Sequence, residues 1–105
     1  MACDVAAFST MDWVAGGHPL EQKKTLPARS LTLLRFDVGF EDPAWCVHGH
    51  HIFVLEGRFE LLLEDGRCEL TKGDACVLDP GTRHKARNPG DEPCELFVIS
   101  RAPGG

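Results

Sequence analysis

From residue 30 onward, short apolar runs alternate with turn-forming pairs, and little in the pattern has a helical period. "SLTLLRFDV" (30–38) is rich in residues suited to strands and stops at Gly39. "HIFVL" (51–55) is followed by Glu56-Gly57, and "RFELLLE" (58–64) by Asp65-Gly66. Asp-Gly between two apolar runs is a strong hairpin signal, because both turn positions need positive φ. "RCEL" (67–70), "ACVL" (75–78) and "CELFVIS" (94–100) follow, separated by Lys72-Gly73-Asp74, by Asp79-Pro80-Gly81-Thr82 and by "NPGDEP" (88–93). Phe59, Leu61 and Leu63 share one face of their strand and Glu60 and Glu64 the other, whereas "LFVI" (96–99) is apolar throughout, as in a strand covered on both sides. Upstream, Met11, Trp13 and Val14 suit a lead-in strand, and "GGHPLEQKKTLP" (16–27) reads as loop. The pattern predicts an all-β antiparallel sandwich or barrel over 31–105, preceded by a lead-in segment over 1–30.

With 105 residues the chain holds one domain, since two independent cores do not fit. No apolar stretch approaches the roughly 20 residues of a membrane span, and "MACDVAAFST" lacks the basic and apolar regions of a secretion signal. A cytoplasmic location is expected. Eleven Lys and Arg against sixteen Asp and Glu give a net charge of −5, which disfavours a nucleic-acid partner. Lys23-Lys24 and "RHKAR" (83–87) are short basic islands of the kind that usually face solvent. The five cysteines, Cys3, Cys46, Cys68, Cys76 and Cys94, contain no CxxC pair, so reduced thiols are expected.

The chemistry concentrates in "PAWCVHGHHIFVLEG" (43–57). Alternate strand residues share a face, so Cys46, His48, His50, Ile52 and Val54 form one row and His51, Phe53 and Leu55 the other. If Ile52 and Val54 face the interior and the segment stays extended, three potential metal donors point inward and His51 points away. One strand covers one side of an ion, so a further donor is needed from across the barrel. His84, just past the "DPGT" turn, is the histidine placed to supply it, whereas His18 sits in the predicted loop without patterned neighbours.

These residues resemble a small single-domain cupin over about residues 31–100. Gly73, Gly81, His84 and Asn88 match the second cupin motif, G-(X)5-P-X-G-(X)2-H-(X)3-N, with Asp79 on the proline position and Pro80 beside it. The first motif, G-(X)5-H-X-H-(X)3,4-E-(X)6-G, is met through Gly57; counting back puts His50 on the glutamate position, Cys46 on the second histidine and Ala44 on the first. The resemblance implies an antiparallel double-stranded β-helix, the cupin or jelly-roll barrel, and a homodimer.

The inward donors together with His84 read as a site for a divalent metal ion in the barrel, held by His50 and His84 with Cys46, His48 or both. A cysteine and imidazole set suits Zn or Fe, with Ni, Cu or Mn as further options. Glu41 and Asp42 are candidates to orient an imidazole, though ordinary loop carboxylates fit them better. Phe36, Phe59, Leu61, Val77 and Phe97 are expected to line the pocket, with Trp45 at its mouth or in the core. Arg35, Arg58 and Arg83 lie nearest by strand position, which would suit an anionic small-molecule substrate. Two functions follow: a metalloenzyme of dioxygenase, isomerase or lyase type, or a non-catalytic cupin that binds a small ligand or senses metal or redox state. No general base stands out, since the family's glutamate is replaced and the chain has no tyrosine.

Overall fold

A computed structural model describes residues 3–101. It is all-β and antiparallel, with nine strands in two facing sheets and two single-turn 3-10 helices at Phe8–Thr10 and Pro27–Arg29. The strands are β1 (Val14–Ala15), β2 (Glu21–Leu26), β3 (Leu31–Phe36), β4 (Gly49–Glu56), β5 (Arg58–Leu63), β6 (Gly66–Thr71), β7 (Ala75–Leu78), β8 (His84–Arg87) and β9 (Cys94–Arg101). The large sheet runs β1-β2-β3-β9-β4-β7 and the small sheet β6-β5-β8, so the chain crosses repeatedly between layers in the jelly-roll manner. No helix among the described residues is long and apolar enough to cross a membrane.

The core is the row of alternate residues that each strand turns to the other sheet. Ile52 and Val54 of β4, Leu96 and Val98 of β9 and Phe36 of β3 face Phe59 and Leu61 of β5, Leu70 of β6 and Ala86 of β8, all buried. Truncating a buried leucine or phenylalanine to alanine in such a core costs about 2–5 kcal/mol. Phe36 stacks on Phe40 with ring centroids 3.9 Å apart, and both rings are buried in the core. Between β4 and β5, Gly57 adopts φ +80°, and a Cβ there would stand 2.7 Å from the Pro93 carbonyl oxygen. Glycine alone fits the turn.

Two sequence expectations change. Residues 21–26, expected as part of a loop, form β2, which pairs with β3 from Glu21↔Phe36 to Leu26↔Leu31. All six residues of β2 are half-buried, so neither face shows the apolar alternation by which a strand is recognised. Val77 and Phe97, expected to line the interior, face outward. Their neighbours Leu78, Leu96 and Val98 take the inward positions, and Val77 is left 61 % exposed. In "LFVI" the continuous apolar run concealed which parity was inside.

Candidate metal centre

Two pieces of chain converge at one end of the barrel. Before β4, residue Cys46 forms an isolated antiparallel bridge with His84: its N–H donates to the His84 carbonyl at 2.9 Å, and the His84 N–H donates back at 3.0 Å. The Asp79–Thr82 turn is drawn onto the same segment by a hydrogen bond from Gly81 N–H to the Val47 carbonyl, 2.8 Å. Gly49 makes that approach feasible. A Cβ on it would stand 2.8 Å from Cδ of Pro80, far inside normal contact, so only a glycine lets the turn lie this close.

The outcome is a three-donor cluster. One ligand atom from each of Cys46, His50 and His84 lies within 4.8 Å of the other two. Donors held about 2.0–2.3 Å from one ion stand no more than roughly 4.6 Å apart, so little adjustment is needed to share one. The two rings meet edge to face at 5.2 Å between centroids. His84 is buried on the small sheet and His50 half-buried on the large one, so a shared ion would tie the two layers together.

The imidazoles are oriented by partners on their far nitrogens. His84 Nδ1 lies 2.9 Å from the Thr82 carbonyl, which accepts only, so Nδ1 carries the proton and Nε2 keeps its lone pair. His50 Nδ1 lies 3.1 Å from the Ser100 hydroxyl, again leaving Nε2 for an ion. Burial, with smaller contributions from His84 and His48, pulls the His50 pKa down to about 4, so the ring is neutral and able to ligate at neutral pH. The oriented imidazoles and the thiol suit a borderline ion such as Zn(II) or Fe(II) better than Mg(II).

Residues Pro43–His48 form no regular strand, and only Cys46 is bridged, so the period of two lapses between Cys46 and Gly49. The expected inward row is therefore interrupted. His48 is exposed and lies outside the three-donor cluster, though its Nδ1 stands 3.6 Å from the Cys46 Sγ. His51 lies on the outer face of β4, and His18 uses Nδ1 to accept the Leu20 N–H in a turn while packing edge-on against Phe40. Trp45 points outward, with the Arg83 guanidinium 5.0 Å and the Lys85 ammonium 5.2 Å from its ring centre.

Beside the cluster lies a cavity of about 220 Å³. Leu34, Phe36, Phe59 and Leu61 form apolar wall, and Asp42 and Glu21 supply two carboxylates. Asp42 Oδ2 accepts the Ala86 N–H at 2.8 Å, and burial raises its pKa despite that bond and the nearby histidines. Neither Asp42 nor the exposed Glu41 is the partner recorded for a cluster imidazole; Thr82 and Ser100 fill that role. The arginines expected near an anionic substrate are absent from the lining. Arg35 follows Leu34 and precedes Phe36 on β3, so when those two face the cavity it faces out, and Arg58 and Arg83 pair with Glu69 and Glu64 on the surface. Sequence reasoning missed Ser100, which sits fifty residues from its partner, and Glu21, which it had placed in a loop.

Residues 34–100 match the family model for the cupin domain, Cupin_2. An uncharacterised protein of Methanocaldococcus jannaschii is 35 % identical over 51 residues, which cover 49 % of this chain and 41 % of that protein, so the match spans less than half of the relative. Among solved structures, KdgF from Halomonas superposes with a TM-score of 0.67 at 25 % identity, covering 89 % of this chain and 90 % of the other. A predicted oxalate decarboxylase from Thermotoga maritima superposes with a TM-score of 0.74 at 15 % identity over 94 % and 99 % of the two chains, a likeness of fold alone.

Proposed function

This chain belongs to the cupin domain family, and from that premise we propose that it is a small metalloenzyme holding one divalent ion, Zn or Fe, on Cys46, His50 and His84. The observation that carries the reading is the mutual approach of those three donors at the wall of a cavity of about 220 Å³. When bound, the ion supplies a Lewis acid or an oxygen-activating centre, consistent with dioxygenase, isomerase or lyase chemistry on a small molecule. The chain's own residues do the rest. Thr82 and Ser100 fix the ring nitrogens, the apolar wall excludes water, and Asp42 offers the carboxylate that sequence reasoning could not find as a proton acceptor. The proposal extends to a cytoplasmic homodimer. All five cysteines are unpaired, as a reducing compartment keeps them, and Phe53 and Val77 stand exposed beside an apolar groove on the outer face of the large sheet.

Elemental analysis of purified protein tests the metal reading: wild type carries about one ion per chain, whereas His50→Ala and His84→Ala carry none. A wild-type protein that holds no Zn, Fe, Ni, Cu or Mn and cannot be reloaded sinks it. A second reading, a redox-sensing module, is favoured by the Cys46 Sγ beside the His48 ring at 3.6 Å. It is distinguished by peroxide treatment, which would then release the ion reversibly while no turnover of any small molecule is found.

A further inference from the structure

The cavity carries an electrostatic bias that the family resemblance did not foretell. Its lining holds two carboxylates and no lysine or arginine. Lys85, between His84 and Ala86 of the lining, directs its ammonium to the outer face, over Trp45. Asp42 is fixed through Oδ2 by the Ala86 N–H, and its Oδ1 has no hydrogen bond among the described residues. Glu21 is fixed through Oε1 by the Gly17 N–H at 2.9 Å. Burial raises the Asp42 pKa, and the Ala86 N–H with the charges of His84, His18 and Lys85 offsets it only in part. Even with a divalent ion and a Cys46 thiolate in place, the two carboxylates outweigh the charge that remains. The rest of the lining is largely apolar, with Leu34, Phe36, Phe59 and Leu61 available to pack a compact alkyl body.

We infer that this cavity takes a small cationic molecule, an ammonium with a compact alkyl body, whose charge meets Asp42 and Glu21, and that it discriminates against carboxylates and phosphates of the same size. The inference rests on the metal-site reading for the role of the cavity, and it names the ligand class of that site. The space of about 220 Å³ equals that of roughly seven waters, enough for such a molecule beside the cluster. The expectation from strand position, an anionic ligand met by arginines, is the opposite of what the lining presents.

Three probes of one shape test this by ligand-observed NMR on the full chain: tetramethylammonium, tert-butanol and pivalate. With Zn(II)-loaded protein, tetramethylammonium binds at least about tenfold tighter than pivalate, although pivalate has an ion to ligate. In Asp42→Asn, whose amide oxygen still accepts the Ala86 N–H, the preference falls toward parity while Zn(II) stoichiometry is unchanged, and Glu21→Gln lowers it further. Equal or tighter pivalate binding, no binding of either ion, or a preference unchanged in both variants overturns the inference. Metal-free protein is measured in parallel to separate the two readings. A chain that takes no Zn(II) but keeps the preference removes the metal proposal and supports the cationic pocket. A chain that takes Zn(II) without the preference removes the cationic pocket alone.

Discussion

His84 opens β8 and Asn88 directly follows its last residue; both are almost wholly buried, and both are landmarks of the second cupin motif. Their hydrogen bonding differs. The Asn88 side chain donates to the Phe36 carbonyl at 3.1 Å and the Glu92 carbonyl at 2.8 Å, and its Oδ1 accepts the Gly90 N–H at 2.9 Å. It ties β3 to the loop after β8 and has no capacity turned toward the cavity. His84 commits one nitrogen to Thr82 and presents the other to Cys46 and His50. A buried polar side chain with every partner inside the fold is a brace; one with a nitrogen left over beside two other donors is a ligand in waiting. The pair shows how the same burial and the same motif serve two ends.

Substitution separates them sharply. Asn88→Leu leaves the Phe36 and Glu92 carbonyls and the Gly90 N–H without their partner, each costing on the order of 1–3 kcal/mol when buried; the last two are only partly buried, so a loss of about 4 kcal/mol, in the lower half of the summed range, is expected. Urea unfolding of metal-free protein measures it, and the folded fraction should still take up one ion per chain. His84→Ala abolishes that uptake yet costs metal-free protein only about 1–3 kcal/mol, for the Thr82 carbonyl left without its partner and the space the buried ring vacates. If Asn88→Leu instead lost the ion at full folded population, or His84→Ala unfolded the chain, the division between brace and ligand would be wrong.

The same contrast explains what could be read from the residues alone. The barrel was legible because turns such as Asp65-Gly66 are local and unambiguous, and because Phe59, Leu61 and Leu63 alternate with polar neighbours. β2 was not, since its Glu-Gln-Lys-Lys-Thr-Leu sequence is half-buried throughout and is held by pairing to β3, a long-range fact. Cys46, His50 and His84 could be named from parity and motif spacing. Parity also put His48 in the inward row, but it stands exposed outside the three-donor cluster, because parity presumes a continuous strand and residues 43–48 are irregular. The residues that orient and surround the cluster, Ser100, Thr82 and Glu21, come from three separate parts of the chain, and no local pattern joins them to His50 or His84.

A smaller effect is expected where the brace meets the ligand set. Gly49→Ala places a methyl 2.8–2.9 Å from Pro80 backbone and ring atoms, so the turn that carries the chain to His84 must retreat. A shift of a few tenths of an ångström in a three-donor cluster should weaken metal affinity by about tenfold, in the range seen when supporting residues of a metal site are altered. Stability should fall by about 1–3 kcal/mol from the overpacking. Competition with a chelator reads the first and urea unfolding the second; an unchanged affinity would show that the turn moves without taking His84 with it.

The last contrast, in which His48→Ala has the smallest effect of all, concerns the two residues between which sequence could not choose. Cys46 lies in the cluster, and His48 touches it only through the sulfur, from an exposed position. Cys46→Ser removes a thiolate donor and leaves a hydroxyl that ligates poorly, so affinity for Zn(II) should drop by more than about a hundredfold. His48→Ala should change stability by less than about 0.5 kcal/mol, as exposed substitutions do, and lower affinity by tenfold at most, through loss of a partner to the Cys46 sulfur. Chelator competition on both variants, read against Co(II)-thiolate absorption, checks the order. Loss of the thiolate band in Cys46→Ser together with its retention in His48→Ala fits a cysteine ligand with a histidine neighbour. Equal losses of affinity in the two would instead mean that the segment before β4 closes on binding and brings His48 to the ion, restoring the alternation that the irregular backbone interrupts.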